Sequence, residues 1–150
     1  MMILLNAELQ NNICKLKKDI IHIKTMEEIA ELINCLSAQD INLNNLAEEI
    51  CDVYIYLYRL RRIDSKKIRI KIKTKNIIYD IKSIIHTLSA FQQTISKKYL
   101  YNDYNDNEYY KYMDNVYNIL YYLINTYSIY KDVEYWVNYK ESRDSCLLRL

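Results

Sequence analysis

The sequence contains neither glycine nor proline among its 150 residues. Folds with many tight β-turns depend on these two residues, because glycine adopts positive φ readily and proline fixes φ. Their absence argues against a turn-rich β fold and favours helices joined by loops of the Asn and Asp type. The chain is long enough to bury a core, and we expect 1–150 to form one domain.

Signals for zinc, secretion and membrane insertion are also missing. No CxxC spacing and no adjacent histidine pair accompany the four cysteines: Cys14, Cys35, Cys51 and Cys146. The apolar start "MMILL" is too short for a signal peptide, and no apolar run approaches the ~20 residues that span a bilayer. The sequence therefore predicts a cytoplasmic protein without a membrane partner.

Charge is nearly balanced, with 21 basic residues, 19 acidic residues and a net charge of +2. A nucleic-acid partner is therefore not expected, although "RLRRIDSKKIRIKIKTK" (59–75) is locally basic. This run has two open interpretations, a solvated helix face and a face that contacts phosphates. Its isoleucines alternate with basic residues over 66–75, as in a strand, but the flanking segments are helical and we predict a helix there.

Apolar side chains recur at helical spacing along most of the chain. The predicted helices cover 25–38, about 44–62, a stretch from 77 onward, 109–128 and 131–148. Thr25 followed by Glu28 predicts a capping box at the start of the first. The short polar connection "AQDINLN" (38–44) predicts that the first two helices form an antiparallel hairpin.

The chain also carries an internal repeat. "INCLSA" (33–38) matches "IHTLSA" (85–90) at an offset of 52, and "DVYIYLYRL" (52–60) matches "NVYNILYYL" (115–123) at an offset of 63. The repeat predicts an all-α bundle of two related helical-hairpin halves, 1–75 and 76–150.

Two acidic pairs lie beside the apolar stripes of the first hairpin: Glu28 with Glu31, and Glu49 with Asp52. Residues three apart on a helix project about 60° from each other, so each pair shares one flank. Both 28 with 52 and 31 with 49 have their midpoint at residue 40, so an antiparallel hairpin brings all four to one level.

Four converging carboxylates repel each other and lose hydration, and a hard cation such as Mg²⁺ offsets both effects. The competing interpretation places both pairs on solvated faces with basic partners four residues on. Positions 32 and 53, four residues after Glu28 and Glu49, hold no Lys or Arg, and this weakens the interpretation as solvated faces. The pattern therefore predicts a site for Mg²⁺, with Mn²⁺ as a possible substitute.

"EEIAE" (27–31) followed by "EEICD" (48–52) resembles the EExxE…ExxD signature of MazG-like, all-α nucleoside triphosphate pyrophosphohydrolases, a superfamily that includes the dimeric dUTPases. The resemblance covers 25–62. It implies a MazG-like fold that cleaves a (d)NTP to (d)NMP and pyrophosphate. It also implies Mg²⁺ on four ligands, namely Glu28, Glu31, Glu49 and Asp52. Glu31 or Glu49 would orient the attacking water or accept its proton.

The C-terminal stretch "VEYWVNYKESRDSCLLRL" (133–150) is similar to the final helix of that family. The resemblance implies that Lys140 and Arg143 contact the substrate phosphates. Lys75 aligns with Lys140 in the repeat, and we assign it the same role.

The second half departs from the signature, because the positions aligned with the quartet are Asp80, Ser83, Tyr112 and Asn115. Both 80 with 115 and 83 with 112 have their midpoint at 97.5, so the repeat predicts a second hairpin in which Asp80 faces Asn115. A second metal site is therefore not expected, and the chain reads as a monomeric pseudo-dimer or as a homodimer. Two alternatives stay open. One is a catalytically lapsed helical module that binds nucleotides or a protein. The other is an unrelated helical interaction domain, whose four carboxylates would diverge.

Overall fold

The computed structural model describes residues 3–64 and 79–148, and these residues form six α-helices without a strand. The helices are α1 (Ala7–Lys17), α2 (Ile21–Leu36), α3 (Leu43–Ile63), α4 (Ile81–Tyr99), α5 (Asp106–Thr126) and α6 (Tyr130–Leu148). The predicted all-α class is confirmed. The helix predicted at 66–75 and the predicted phosphate ligand Lys75 lie outside the described residues.

None of these six helices combines the length and the apolar character that crossing a membrane requires.

Four helices begin at an Asn or Asp side chain, as the lack of glycine and proline leads one to expect. An oxygen of each N-cap accepts a hydrogen bond from the backbone N–H three residues later, at Asn6, Asn42, Asp80 and Asn105. Such caps satisfy backbone donors that no helical carbonyl can reach. Asn102 and Ser128 occupy the left-handed region, with φ of 51° and 53°, without a glycine at either position.

The start of α2 differs from the prediction. The helix begins at Ile21, which is buried, and Thr25 lies one turn inside it. The Thr25 hydroxyl donates to the Ile21 carbonyl at 2.7 Å, so it caps no N–H group. The predicted capping box is wrong, because burial of Ile21 extends the helix by a turn.

Helix α3 lies at the centre of the packing. It contacts α1, α2, α5 and α6, and ten of its side chains are buried. The six-residue connection 37–42 folds α2 back along α3 as the predicted hairpin. This hairpin fixes the relative level of the acidic residues on the two helices.

Helices α4 and α5 form a second hairpin. The side chain of Asp64, at the end of α3, forms hydrogen bonds with residues of both of these helices. The Asp64 carboxylate, 3% exposed, accepts hydrogen bonds from the Tyr99 and Tyr109 hydroxyls and from Lys98 Nζ. A buried carboxylate needs such donors to offset its lost hydration. This cluster therefore fastens the second hairpin to the first.

The second hairpin has a different register from the one that the repeat predicts. Tyr79 packs against Tyr122 and Phe91 against Tyr109, so the hairpin is centred near residue 100 and not at 97.5. Asp80 consequently lies near the level of Tyr122 and caps α4, and the predicted facing of Asp80 and Asn115 is wrong.

Candidate metal centre

The structure brings the four predicted carboxylates together. One oxygen of each of Glu28, Glu31, Glu49 and Asp52 lies within 4.8 Å of the others. Two come from neighbouring turns of α2 and two from neighbouring turns of α3. The convergence therefore follows from the spacing of three residues within each helix and from the short turn of the hairpin.

Burial is graded across this acidic cluster. Glu28 is 9% exposed, Glu49 and Asp52 are half-buried, and Glu31 is exposed. Glu28 Oε2 and Glu49 Oε2 are buried and have no hydrogen-bond partner among the described residues. A buried carboxylate oxygen without a hydrogen-bond donor lowers the stability of the fold, so such an atom is rare in proteins unless a water or an ion satisfies it.

The pKa values of three clustered carboxyl groups are raised, which shows that their ionised forms are destabilised in the fold. Burial, followed by the charges of Asp52 and Glu31, raises the pKa of Glu28 to about 8. Burial, followed by the charges of Glu31 and Asp52, raises the pKa of Glu49 to about 7. Burial raises the pKa of Asp52 as well, although Lys140 opposes the rise. Without a cation, the cluster therefore holds protons near neutral pH.

The donor set fits a hard cation. All four candidate ligands are carboxylate oxygens, which Mg²⁺ and Mn²⁺ prefer, and no nitrogen or sulfur ligand from the described residues belongs to the cluster. The two partnerless oxygens are the atoms that a cation would satisfy. The exposure of Glu31 leaves one side of the cluster open to water and to a bound anion.

Lys140, predicted to contact phosphate, reaches the same cluster from α6. Its Nζ lies 2.5 Å from Asp52 Oδ1 and 3.3 Å from Glu48 Oε1, and its side chain is 9% exposed. Arg143, the other predicted phosphate ligand on α6, is 54% exposed and pairs with Asp144 at 3.5 Å. Both phosphate contacts stay predictions.

A pocket of about 340 Å³, to which mostly polar residues contribute, adjoins the cluster at the turn of the first hairpin. Its lining consists of Glu31, Asn34, Cys35, Ala38, Asp40, Asn42, Asn45 and Glu49. The sequence predicts only a polar connection at 38–44, within this lining. The density of amide side chains between the two acidic motifs is the pattern that could have identified it.

A buried network that the sequence analysis misses holds α6 in place. Arg59, 3% exposed, donates to Gln10 Oε1 at 2.8 Å and to Asp144 Oδ2 at 3.1 Å. Gln10 in turn donates to Glu141 Oε2 at 2.8 Å. Because Glu141 and Asp144 follow Lys140 within about one turn, the network fixes the level at which Lys140 meets α3.

Comparison of the chain with protein-family models, with curated proteins and with solved structures finds no match.

Proposed function

We propose that the protein is a Mg²⁺-dependent nucleoside triphosphate pyrophosphohydrolase that cleaves a (d)NTP to the (d)NMP and pyrophosphate. The convergence of four carboxylate oxygens within 4.8 Å carries the proposal. The residues that converge are those of the EExxE…ExxD pattern, and two of their oxygens are buried without a donor in the part of the chain that the structure describes. The proposal includes the MazG-like arrangement of two related hairpins, as a pseudo-dimer or a homodimer.

The roles of the four carboxylates in metal binding and in activation of water would depend on their burial. Glu28, the most buried, would hold the cation from α2, and Asp52 and Glu49 would hold it from α3. Bound Mg²⁺ supplies neutralisation of phosphate charge and a lower pKa for a nucleophilic water. Glu31 and Glu49 border the open side, where one of them orients that water or accepts its proton.

Other residues near the cluster supply contacts to the rest of the substrate. Lys140 and Arg143 lie on α6, one turn apart, and bring positive charge toward the phosphates. The amide side chains of the adjoining pocket offer hydrogen bonds to the remainder of the nucleotide.

Pyrophosphate release from a panel of NTPs and dNTPs, with Mg²⁺ and with EDTA, tests the proposal. Glu49→Gln removes one candidate ligand charge, and Asp80→Asn is the matched control because it makes the same chemical change outside the cluster. We expect turnover by the wild type and the control, and a loss of about 100-fold or more in Glu49→Gln. Folded wild-type protein that releases no pyrophosphate from any nucleotide would refute the proposal.

A second function is favoured by one observation, the ion pair between Lys140 and Asp52. A lysine that already neutralises one of the four carboxylates fits a helical module that has lost catalysis and binds a nucleotide or a protein. This alternative predicts nucleotide binding that is independent of Mg²⁺ and leads to no pyrophosphate.

A further inference from the structure

Lys140 is a buried cation with a defined position. Its ammonium contacts two carboxylates of α3, Asp52 and Glu48, and only Asp52 belongs to the acidic cluster. The network of Arg59 and Gln10 holds the following turn of α6 against α1 and α3. The network therefore fixes the level at which the α6 backbone presents Lys140 to α3.

Asp52 consequently has two functions that compete. It offers an oxygen to the acidic cluster, and it binds Lys140 at 2.5 Å toward Glu48. A divalent cation held by Asp52 would be repelled by the positive charge of Lys140, because the two cations would share one carboxylate. The number of ligand charges that face a hard cation is one of the properties that set its affinity.

We propose that Lys140 is the resident counter-cation of the acidic cluster and competes with the divalent cation for Asp52, thereby lowering the metal affinity of the site. This inference rests on the proposed metal site. It differs from a role in which Lys140 merely orients Asp52 as a ligand, because orientation predicts that loss of the lysine weakens metal binding. Among the described residues, Lys140 is the cation that contacts the cluster, and it does so at Asp52, while one oxygen each of Glu28 and Glu49 has no hydrogen-bond partner; this distribution favours competition.

Binding of Mn²⁺ to the full chain, followed by the electron paramagnetic resonance signal of free Mn²⁺ in the absence of nucleotide, tests the inference. Lys140→Met removes the competing charge, and Lys131→Met is the matched control. Lys131 is exposed on the same helix, so its replacement loses the same charge away from the cluster. We expect about tenfold tighter binding in Lys140→Met and less than a twofold change in Lys131→Met.

The outcomes separate the inference from the function on which it rests. Equal or weaker Mn²⁺ binding by Lys140→Met, with measurable binding by the wild type, overturns the inference and leaves the metal site standing. Absence of Mn²⁺ binding in the wild type and in both variants overturns the metal site and the inference together.

A measurement on the wild type keeps the test decisive if Lys140→Met does not fold. Lysine acetylation by acetic anhydride, mapped by mass spectrometry, reports how accessible each ammonium group is. We expect Mg²⁺ to raise the reactivity of Lys140 about threefold or more while that of Lys131 stays constant, because a displaced amine loses its ion pair. Unchanged reactivity of Lys140 at saturating Mg²⁺ overturns the inference.

Discussion

Replacement of Glu28 by glutamine should stabilise the cation-free protein at alkaline pH and abolish its stabilisation by Mg²⁺. The side chain keeps its size and loses its charge. Glu28 is the most buried member of the acidic cluster, and one of its oxygens has no donor within 3–64 and 79–148. The ionised form is therefore costly in the folded state, and the neutral amide avoids that cost.

The sign and the size of this change in the free energy of unfolding follow from the linkage between proton binding and folding. The pKa of Glu28 rises from 4.5 to about 8 on folding, so between these values the folded state binds more protons than the unfolded state. The free energy of unfolding of the wild type therefore falls as pH rises through this window. A shift of this size corresponds to at most about 5 kcal/mol. Because the cluster is open to water at Glu31, we expect about 1–2 kcal/mol for Glu28→Gln at pH 9 and little at pH 5.

Thermal unfolding followed by circular dichroism measures the effect. In EDTA at pH 9, Glu28→Gln should melt about 3–8 °C above the wild type, since about 1 kcal/mol shifts Tm by a few degrees at this chain length. Mg²⁺ at ten times its dissociation constant should stabilise the wild type by about 1.4 kcal/mol and the variant by much less. Asp80→Asn, which keeps an N-cap oxygen, is the control and should respond to Mg²⁺ like the wild type.

Two results would refute this reasoning. A variant that melts below the wild type in EDTA at pH 9 would show that the ionised carboxylate is well solvated or paired in the fold. A variant that gains as much stability from Mg²⁺ as the wild type would show that Glu28 binds no cation.

Three further predictions concern the rest of the molecule. Glu49→Gln should abolish pyrophosphate release without lowering Tm in EDTA; retained turnover with a lower Tm would contradict both parts. Arg59→Met should cost about 3 kcal/mol in urea unfolding, because it removes a partner of the buried Gln10 and of the partly buried Asp144, and a loss under 1 kcal/mol would contradict this. Asp64→Ala should cost a similar ~3 kcal/mol by the same assay, since it removes the acceptor of two hydroxyls and one ammonium, and an unchanged midpoint would show that water replaces it.

The convergence of the acidic residues could be predicted because local geometry determines it. Glu28 and Glu31 share a flank by helical periodicity, and a short turn sets the level of Glu49 and Asp52 opposite them. The same arithmetic fails in the second hairpin, where aromatic contacts such as Tyr79 with Tyr122 set the register. Matching letters in a repeat do not fix the side-chain packing that selects a register.

Features that depend on distant partners could not be predicted. The apolar pattern of the sequence does not predict α1, because the buried face of this helix includes the polar residue Gln10. The partner of Gln10, Arg59, is 49 residues away in the sequence. Lys140 meets Asp52 across 88 residues, so no local pattern shows that the lysine is buried in an ion pair. Polar contacts of this kind depend on tertiary packing, and the spacing of residues in the sequence does not predict them.

Asparagine caps at helix starts have a consequence for chemical ageing. Asparagine slowly deamidates to aspartate, which keeps a capping oxygen and adds a negative charge that a helix N-terminus favours. Asn6 and Asn105 would therefore keep a capping oxygen after conversion to aspartate. Asn42 also caps a helix, but it lines the pocket beside Glu31 and Glu49, where deamidation would add a carboxylate to an already crowded set. The same conversion should thus preserve the cap at all three helix starts and, at Asn42, should raise electrostatic repulsion beside the acidic cluster.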